Sequence, residues 1–174
     1  MTFRGSVAAA IIACAAGAAS AQQDVSENQV AAVTDWSVFE DNDPRECWAV
    51  SVPKETVNTR DGEVVSVRRS EIQLMAFYRP DASVGGQLAF TGGYPFAEGS
   101  VVTIDVDGTS YDLYTEGEWA WPASTEDDGK ILASMKAGSE AVLTGRSGRG
   151  TVTKDTFSLM GFTAAVEDSA RRCQ

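Results

Sequence analysis

Ile72, Leu74, Ala76 and Tyr78 recur every second residue, with Glu71, Gln73 and Arg79 between and beyond them. A two-residue period belongs to an extended strand with one covered face, so this chain builds sheet rather than helix bundle. Similar short runs follow one another from Thr34 onward. Trp36 shares a face with Val38, and Trp48 with Val50 and Val52. Leu88 with Phe90, Val102 with Ile104 and Val106, Tyr111 with Leu113, and Val142 with Thr144 extend the pattern, Ala141 and Leu143 taking the other face of the last run. Turn residues punctuate them: Asn42-Asp43-Pro44, Gly85-Gly86 before Leu88, and Asp107-Gly108, a strong hairpin signal. Between Val152 and Phe157–Leu159 the apolar parity switches, which predicts a bulge near Asp155. Two segments read as helices. Ser124 with Asp127 makes a capping box ahead of Ile131, Leu132 and Met135, with Gly138 as the stop; Thr163 to Arg172 ends in two arginines. About eight or nine short strands with two short helices predict a mainly β domain, an antiparallel sandwich or partly closed barrel.

The N-terminus sets the compartment. Arg4, an uncharged run from Val7 to Ala19, and Ala19-Ser20-Ala21 before Gln22 have the layout of a secretory signal peptide. Residues 1–21 are thus expected to be removed near Ala21, 22–33 to form a flexible arm, and 34–174 to form one domain. Ile11-Ile12-Ala13-Cys14 resembles a lipobox, and a surface lipoprotein anchored at Cys14 is the alternative reading. No later stretch is long and apolar enough for a membrane span.

Export constrains the chemistry. The chain has 14 basic against 25 acidic residues, and the signal holds one arginine and no acid, so cleavage makes it more negative still. Such a field repels nucleic acid phosphates. Cys47 and Cys173 remain after cleavage, and in an oxidising compartment an even pair reads as a disulfide. A loop of this length contributes about 4–5 kcal/mol on the chain-entropy account.

Histidine is absent. Ser-His-Asp and Cys-His catalysis, the commonest zinc sites and haem ligation by His are therefore excluded. Asp105 with Asp107 and Glu116 with Glu118 are local carboxylate pairs of the kind a glycoside hydrolase uses, although acids at strand ends are common for solvation. Asp105-Val106-Asp107-Gly108 opens like a calcium loop, but Thr109 and Ser110 break the pattern and favour a hairpin. Gly145-Arg146-Ser147-Gly148-Arg149-Gly150 has the glycines of an anion cradle without the Lys-Ser/Thr ending of a phosphate loop, and a hairpin is again the simpler account. Trp119 and Trp121 share strand parity, with Tyr111 and Tyr114 just before: a buried core pair, or an aromatic platform for a sugar or protein. No residue set calls for a cofactor or metal.

Several segments together resemble the invasion-associated locus B family: Cys47-Trp48-Ala49-Val50, Gly92-Gly93-Tyr94-Pro95-Phe96, Trp119-Ala120-Trp121-Pro122, Met135-Lys136-Ala137-Gly138, the stretch from Ser147 through Ala165, and Cys173. The resemblance runs from about Trp36 to Cys173 and implies an exported α-proteobacterial protein, periplasmic, outer-membrane associated or secreted, in a family some of whose members are associated with host-cell entry. It brings no catalytic residues. Family members often carry a further cysteine soon after the first Trp-containing strand, where this chain has Phe39 and its neighbours, leaving Cys47 and Cys173 to pair with each other. The leading expectation is a non-enzymatic envelope module that binds an envelope or host protein through Tyr94, Phe96, Trp119 and Trp121, with Arg146 and Arg149 in reach. The alternatives are a two-carboxylate carbohydrate hydrolase and the Cys14 lipoprotein.

Overall fold

A computed structural model describes residues 28–174. The predicted signal peptide, its cleavage point at Ala21 and Cys14 lie outside the described residues. The strands are β1 (Gln29–Val33), β2 (Trp36–Asn42), β3 (Arg45–Ser51), β4 (Glu55–Arg60), β5 (Glu63–Val64), β6 (Gln73–Arg79), β7 (Val84–Thr91), β8 (Val101–Val106), β9 (Thr109–Glu116), β10 (Trp119–Trp121), β11 (Glu140–Arg146) and β12 (Val152–Ser158). The helices are α1 (Thr125–Ala137) and α2 (Phe162–Arg172).

All twelve strands join one antiparallel sheet in the order β1-β2-β3-β6-β7-β10-β9-β8-β11-β12-β4-β5. It does not close into a barrel: β1 and β5 stand at its two ends. It folds over on itself, so that Phe90 of β7 meets Phe157 of β12 edge-on at 6.2 Å. The inner surface is the core, with Trp36, Leu74, Leu88, Ile104, Leu113 and Leu143 fully buried. The mainly β, sandwich-like architecture agrees with the alternation in the sequence.

The helices pack onto the inner surface of the first half of the sheet. Ser124 caps α1 by accepting from Asp127 N–H at 3.2 Å. Asp128, one residue on, accepts from Leu88 N–H at 2.8 Å. It supplies the acceptor that a longer β10 would have given, since β10 ends at Trp121 before Pro122. α2 lies against β2 and β3, with Phe162 4.8 Å from the Trp36 ring. Just beyond it Cys173 is bonded to Cys47 of β3, the Cα atoms 5.8 Å apart.

Three expectations are corrected. Residues 29–33, assigned to the flexible arm, form β1 and pair with β2. Its alternation is hidden by two alanines, and its turn uses Thr34 at positive φ, a residue that carries no turn signal. Gly85-Gly86 is no turn but part of β7, where the register against β6 shifts beside Phe77 and Tyr78. The turn is a 3₁₀ segment at Pro80–Ala82. β12 has no bulge at Asp155, for it runs in unbroken register with both β11 and β4. Its parity switch has another cause: Thr151, Thr153 and Asp155 point inward with Phe157 and Leu159, while Val152 faces out. The inner surface here is polar, and a cavity explains why.

Candidate functional site

Side chains alternate across a strand, so Cys47, drawn inward by its bond to Cys173, turns Trp48 outward. Register then extends the outer surface sideways. Phe39 lies opposite Trp48, Trp48 opposite Phe77, and Phe77 opposite Gln87. Beyond β7, Trp119 lies opposite Thr91 and Trp121 opposite Tyr114. The rings form a near-continuous row. Phe39 stacks on Trp48 at 5.3 Å and 8°, Trp48 approaches Phe77 at 6.3 Å, and Trp119 stacks on Trp121 at 6.2 Å and 17°. Trp119 is 38% exposed and Tyr114 58%.

A groove interrupts the row over β7, whose outward residues Gln87 and Ala89 are lower than the rings beside them. Phe77 and Arg79 wall one side, Trp119 and Trp121 the other, enclosing about 400 Å³. The Arg79 guanidinium lies 4.3 Å from the Phe77 ring centroid, donates to Gln87 Oε1 at 3.0 Å, and is paired with Glu46. Acids surround the aromatic centre: Glu46 on β3, with Asp112 and Glu116 beside Tyr114 on β9.

The expected surface is therefore divided. Trp119 and Trp121 are surface residues, and the core reading of this pair fails because β10 turns only Ala120 inward. Phe96 is buried, 8% exposed, against Phe90 at 6.2 Å and Tyr94 at 5.0 Å; it cannot present its ring to a partner. Tyr94 lines a second cavity, of about 670 Å³, whose walls include Arg149 but not Arg146. Arg146 projects from the exposed side of β11. Gly145 to Gly150 spans the β11–β12 hairpin, as the simpler reading expected.

The second cavity is polar. Arg69, in the segment between β5 and β6, is its floor. Its guanidinium donates to both oxygens of the fully buried Asp155, at 2.7 and 2.6 Å, and its Nε donates to Gly92 O at 2.8 Å. Burial holds the Asp155 carboxyl above the usual range, and the two bonds from Arg69 offset only part of that rise. The Arg69 guanidinium sits 5.1 Å from the Tyr94 ring centroid, while the Tyr94 hydroxyl bonds Thr153 Oγ1 at 2.6 Å. Burial raises the Tyr94 phenol. Gly93 has φ 71°, and a Cβ there would lie 2.7 Å from Ser70 O, so only glycine brings the Tyr94 loop this close to the Arg69 segment.

The carboxylate candidates serve local structure. Asp105 accepts from Gly108 N–H at 2.9 Å and from the Ser110 hydroxyl, while Asp107 accepts from Ser139 N–H at 2.7 Å. The latter contacts hold Asp107 below the ordinary carboxylate range. Glu116 and Glu118 are exposed at the turn between β9 and β10.

Residues 36–170 match the family model described as invasion associated locus B (IalB) protein. The chain belongs to the IalB family. Its fold also matches the crystal structure of invasion associated protein B from Bartonella henselae, with TM-score 0.56 over 81% of this chain and 95% of that one, at 14% identity. No curated protein matches it. At that identity the likeness concerns fold, so the sites of this IalB-family member rest on its own residues. Sequence reasoning missed Phe39, Trp48, Phe77 and Arg79 on the outer surface, and Arg60, Arg68 and Arg69 at the cavity. One signal was present: a disulfide-bonded Cys47 must face inward, and parity then exposes Trp48.

Proposed function

We propose that this IalB-family chain is a non-catalytic binding module of the cell envelope, and that the outer aromatic surface from Phe39 to Tyr114 holds a protein partner. The observation carrying this reading is a row of aromatic side chains on the solvent side of a sheet whose other side already has a filled core. Trp48, Trp119 and Trp121 lie outside that core, partly or largely open to solvent. Trp, Tyr and Arg are the residues that dominate protein interfaces. The row crosses six strands, β2-β3-β6-β7-β10-β9. At about 4.8 Å per strand gap it is roughly 24 Å wide. That breadth suits one side of a standard interface, about 800 Å². The rim acids favour a partner with an apolar centre and basic margins.

Export to the envelope rests on the signal-like N-terminus, the Cys47–Cys173 disulfide and family membership. The carbohydrate hydrolase alternative has less support. Among the described residues, no carboxylate lines the aromatic groove, and Glu118 is the one acid bordering the other cavity.

The test is affinity capture from whole envelopes with the mature chain and with a Trp119→Ala/Trp121→Ala variant, followed by crosslinking of the captured protein. The reading requires capture that falls at least tenfold in the variant, with crosslinks around β6, β7 and β10. Equal capture by both chains, or binding that a soluble glycan supplies in place of any protein, overturns it.

A further inference from the structure

The arginine-lined cavity lies on the opposite side of the sheet from the aromatic surface and has no part in the reading above. We propose that it is a binding site for a phosphate monoester, with Arg68 and Arg149 gripping the phosphate over a floor fixed by Arg69.

Charge is the first reason. Acids outnumber bases 25 to 14 in this chain, yet four arginines, Arg60, Arg68, Arg69 and Arg149, border one cavity. Among the described residues Glu118 is the one acid at the border, and Asp155 lies behind the floor. Among the described residues, Arg60, Arg68 and Arg149 make no ion pair, as is also true of Arg45 and Arg146 outside the cavity, whereas Arg79, Arg171 and Arg172 each have one. The cavity is set apart by clustering, four arginines around one opening in an acidic chain, rather than by missing ion pairs.

Preorganisation is the second. Arg69 is held by Asp155, Gly92 and the Tyr94 ring, so its charge is matched by Asp155 and its part is to fix the shape of the floor, while Arg60, Arg68 and Arg149 supply the net positive charge. Arg60 is steadied by the Thr151 hydroxyl at 2.7 Å. Arg68 and Arg149 are exposed, and each comes from a different loop. The planar fork of a guanidinium matches two oxygens of a phosphate, and two such forks from separate loops suit a dianion better than one carboxylate. Ser66, Ser70 and the Gly148 backbone add neutral polar groups at the same wall. About 670 Å³ exceeds what a bare phosphate occupies, and the Tyr94 ring offers an apolar surface for the rest of the ligand. The inward Thr151, just before β12, and Thr153 and Asp155 within it belong to the same design, for they keep this end of the interior polar where the core would otherwise continue.

Phosphate monoesters reach an exported domain as soluble sugar phosphates or as lipid headgroups. The mature, oxidised chain is therefore titrated calorimetrically with sodium phosphate, with glucose 1-phosphate, and with phosphatidylcholine vesicles containing phosphatidic acid. The same titrations are made with Arg68→Gln/Arg149→Gln and with Arg146→Gln, whose side chain lies outside the cavity. Saturable binding of glucose 1-phosphate or of the vesicles, weakened at least tenfold in the double variant and unchanged by Arg146→Gln, supports the site. Which of the two binds identifies the source. Binding lost equally in Arg146→Gln would reveal a diffuse charge effect and overturn the proposal, as would the absence of saturable binding to every probe. Both cavity substitutions are at exposed positions, and an unchanged thermal unfolding midpoint without ligand confirms that the fold is intact. Trp119→Ala/Trp121→Ala leaves phosphate binding unaltered, so the two proposals fail separately.

Discussion

The outer aromatic surface and the inner polar cavity each reverse the ordinary arrangement of a β domain. On β3, β6 and β10 large apolar side chains face solvent. On β12 a carboxylate and a threonine face inward, with Thr151 just before the strand doing the same. The two reversals differ in what they ask of the fold. An exposed ring costs little and is stabilised by its neighbours, whereas a buried carboxylate must have its partner in place before the structure closes. The cavity is thus tied to folding, while the aromatic surface is free to serve binding alone. Substitutions at the two sites can break that distinction.

The largest effect is expected at Asp155. Asp155→Ala leaves the Arg69 guanidinium buried without its counter-charge, and removing one member of such a pair costs about 3–5 kcal/mol. Chemical denaturation should show the midpoint falling with an unchanged slope. Replacing both members, as in Arg69→Met/Asp155→Leu, should recover much of the loss. If the single substitution costs no more than a surface change, the cavity floor is not part of the folding problem and the distinction collapses.

Next comes Gly145, inward on β11. A Cβ there would stand 2.9 Å from both the Phe96 ring and the Tyr94 hydroxyl. Gly145→Ala should cost about 1–3 kcal/mol by crowding, and the displaced Tyr94 should be visible as a changed tyrosine near-ultraviolet signal.

Asp128 gives a smaller effect that depends on pH. Burial, then the nearby Asp127, raises its carboxyl above the ordinary 3.8 against the bond from Leu88 N–H. A folded-state value above the unfolded one means that the folded chain holds the proton more readily, so this group costs stability when ionised. The cost is relieved as pH falls through the folded value and is gone below the unfolded one. Asp128→Asn keeps an oxygen for Leu88 N–H and removes the charge. Its unfolding midpoint should exceed that of the native chain near neutrality, with the difference shrinking as the solution is acidified. Asp128→Ala, which orphans the Leu88 N–H, should lose about 1–3 kcal/mol at every pH.

How much of this was legible in the sequence follows from the same distinction. Strands with a clean apolar face, such as Ile72 to Tyr78, and the capped helix after Ser124 could be read directly, because local pattern and tertiary burial agree there. β4 and β5 were missed because Glu55, Thr56, Asn58 and Thr59 hide a half-exposed strand near the sheet edge, although Asp61-Gly62 carries the same hairpin signal as Asp107-Gly108. The polar interior of β12 was read as a bulge, since its reason, Arg69, lies 86 residues away in the chain. The split of Tyr94 and Phe96 from Trp119 and Trp121 depends on how far the sheet folds over, which no local pattern records.

The smallest effect on stability is expected where the effect on binding is proposed to be greatest. Trp119 is over a third exposed and stacks on Trp121 at the edge of the groove. Trp119→Ala gives up that stacking, worth about 0.5–1.5 kcal/mol, and the covered part of a ring that is 38% exposed, but it leaves no buried charge without its partner. The unfolding midpoint should therefore move far less than for Asp155→Ala. An interface ring of this kind that inserts into a partner loses about 2 kcal/mol or more of binding on truncation. A small shift in unfolding with a large loss of capture places the ring in the service of a partner. A large shift in unfolding with capture unchanged would make the outer aromatic row a second core, and the contrast between the two surfaces would vanish.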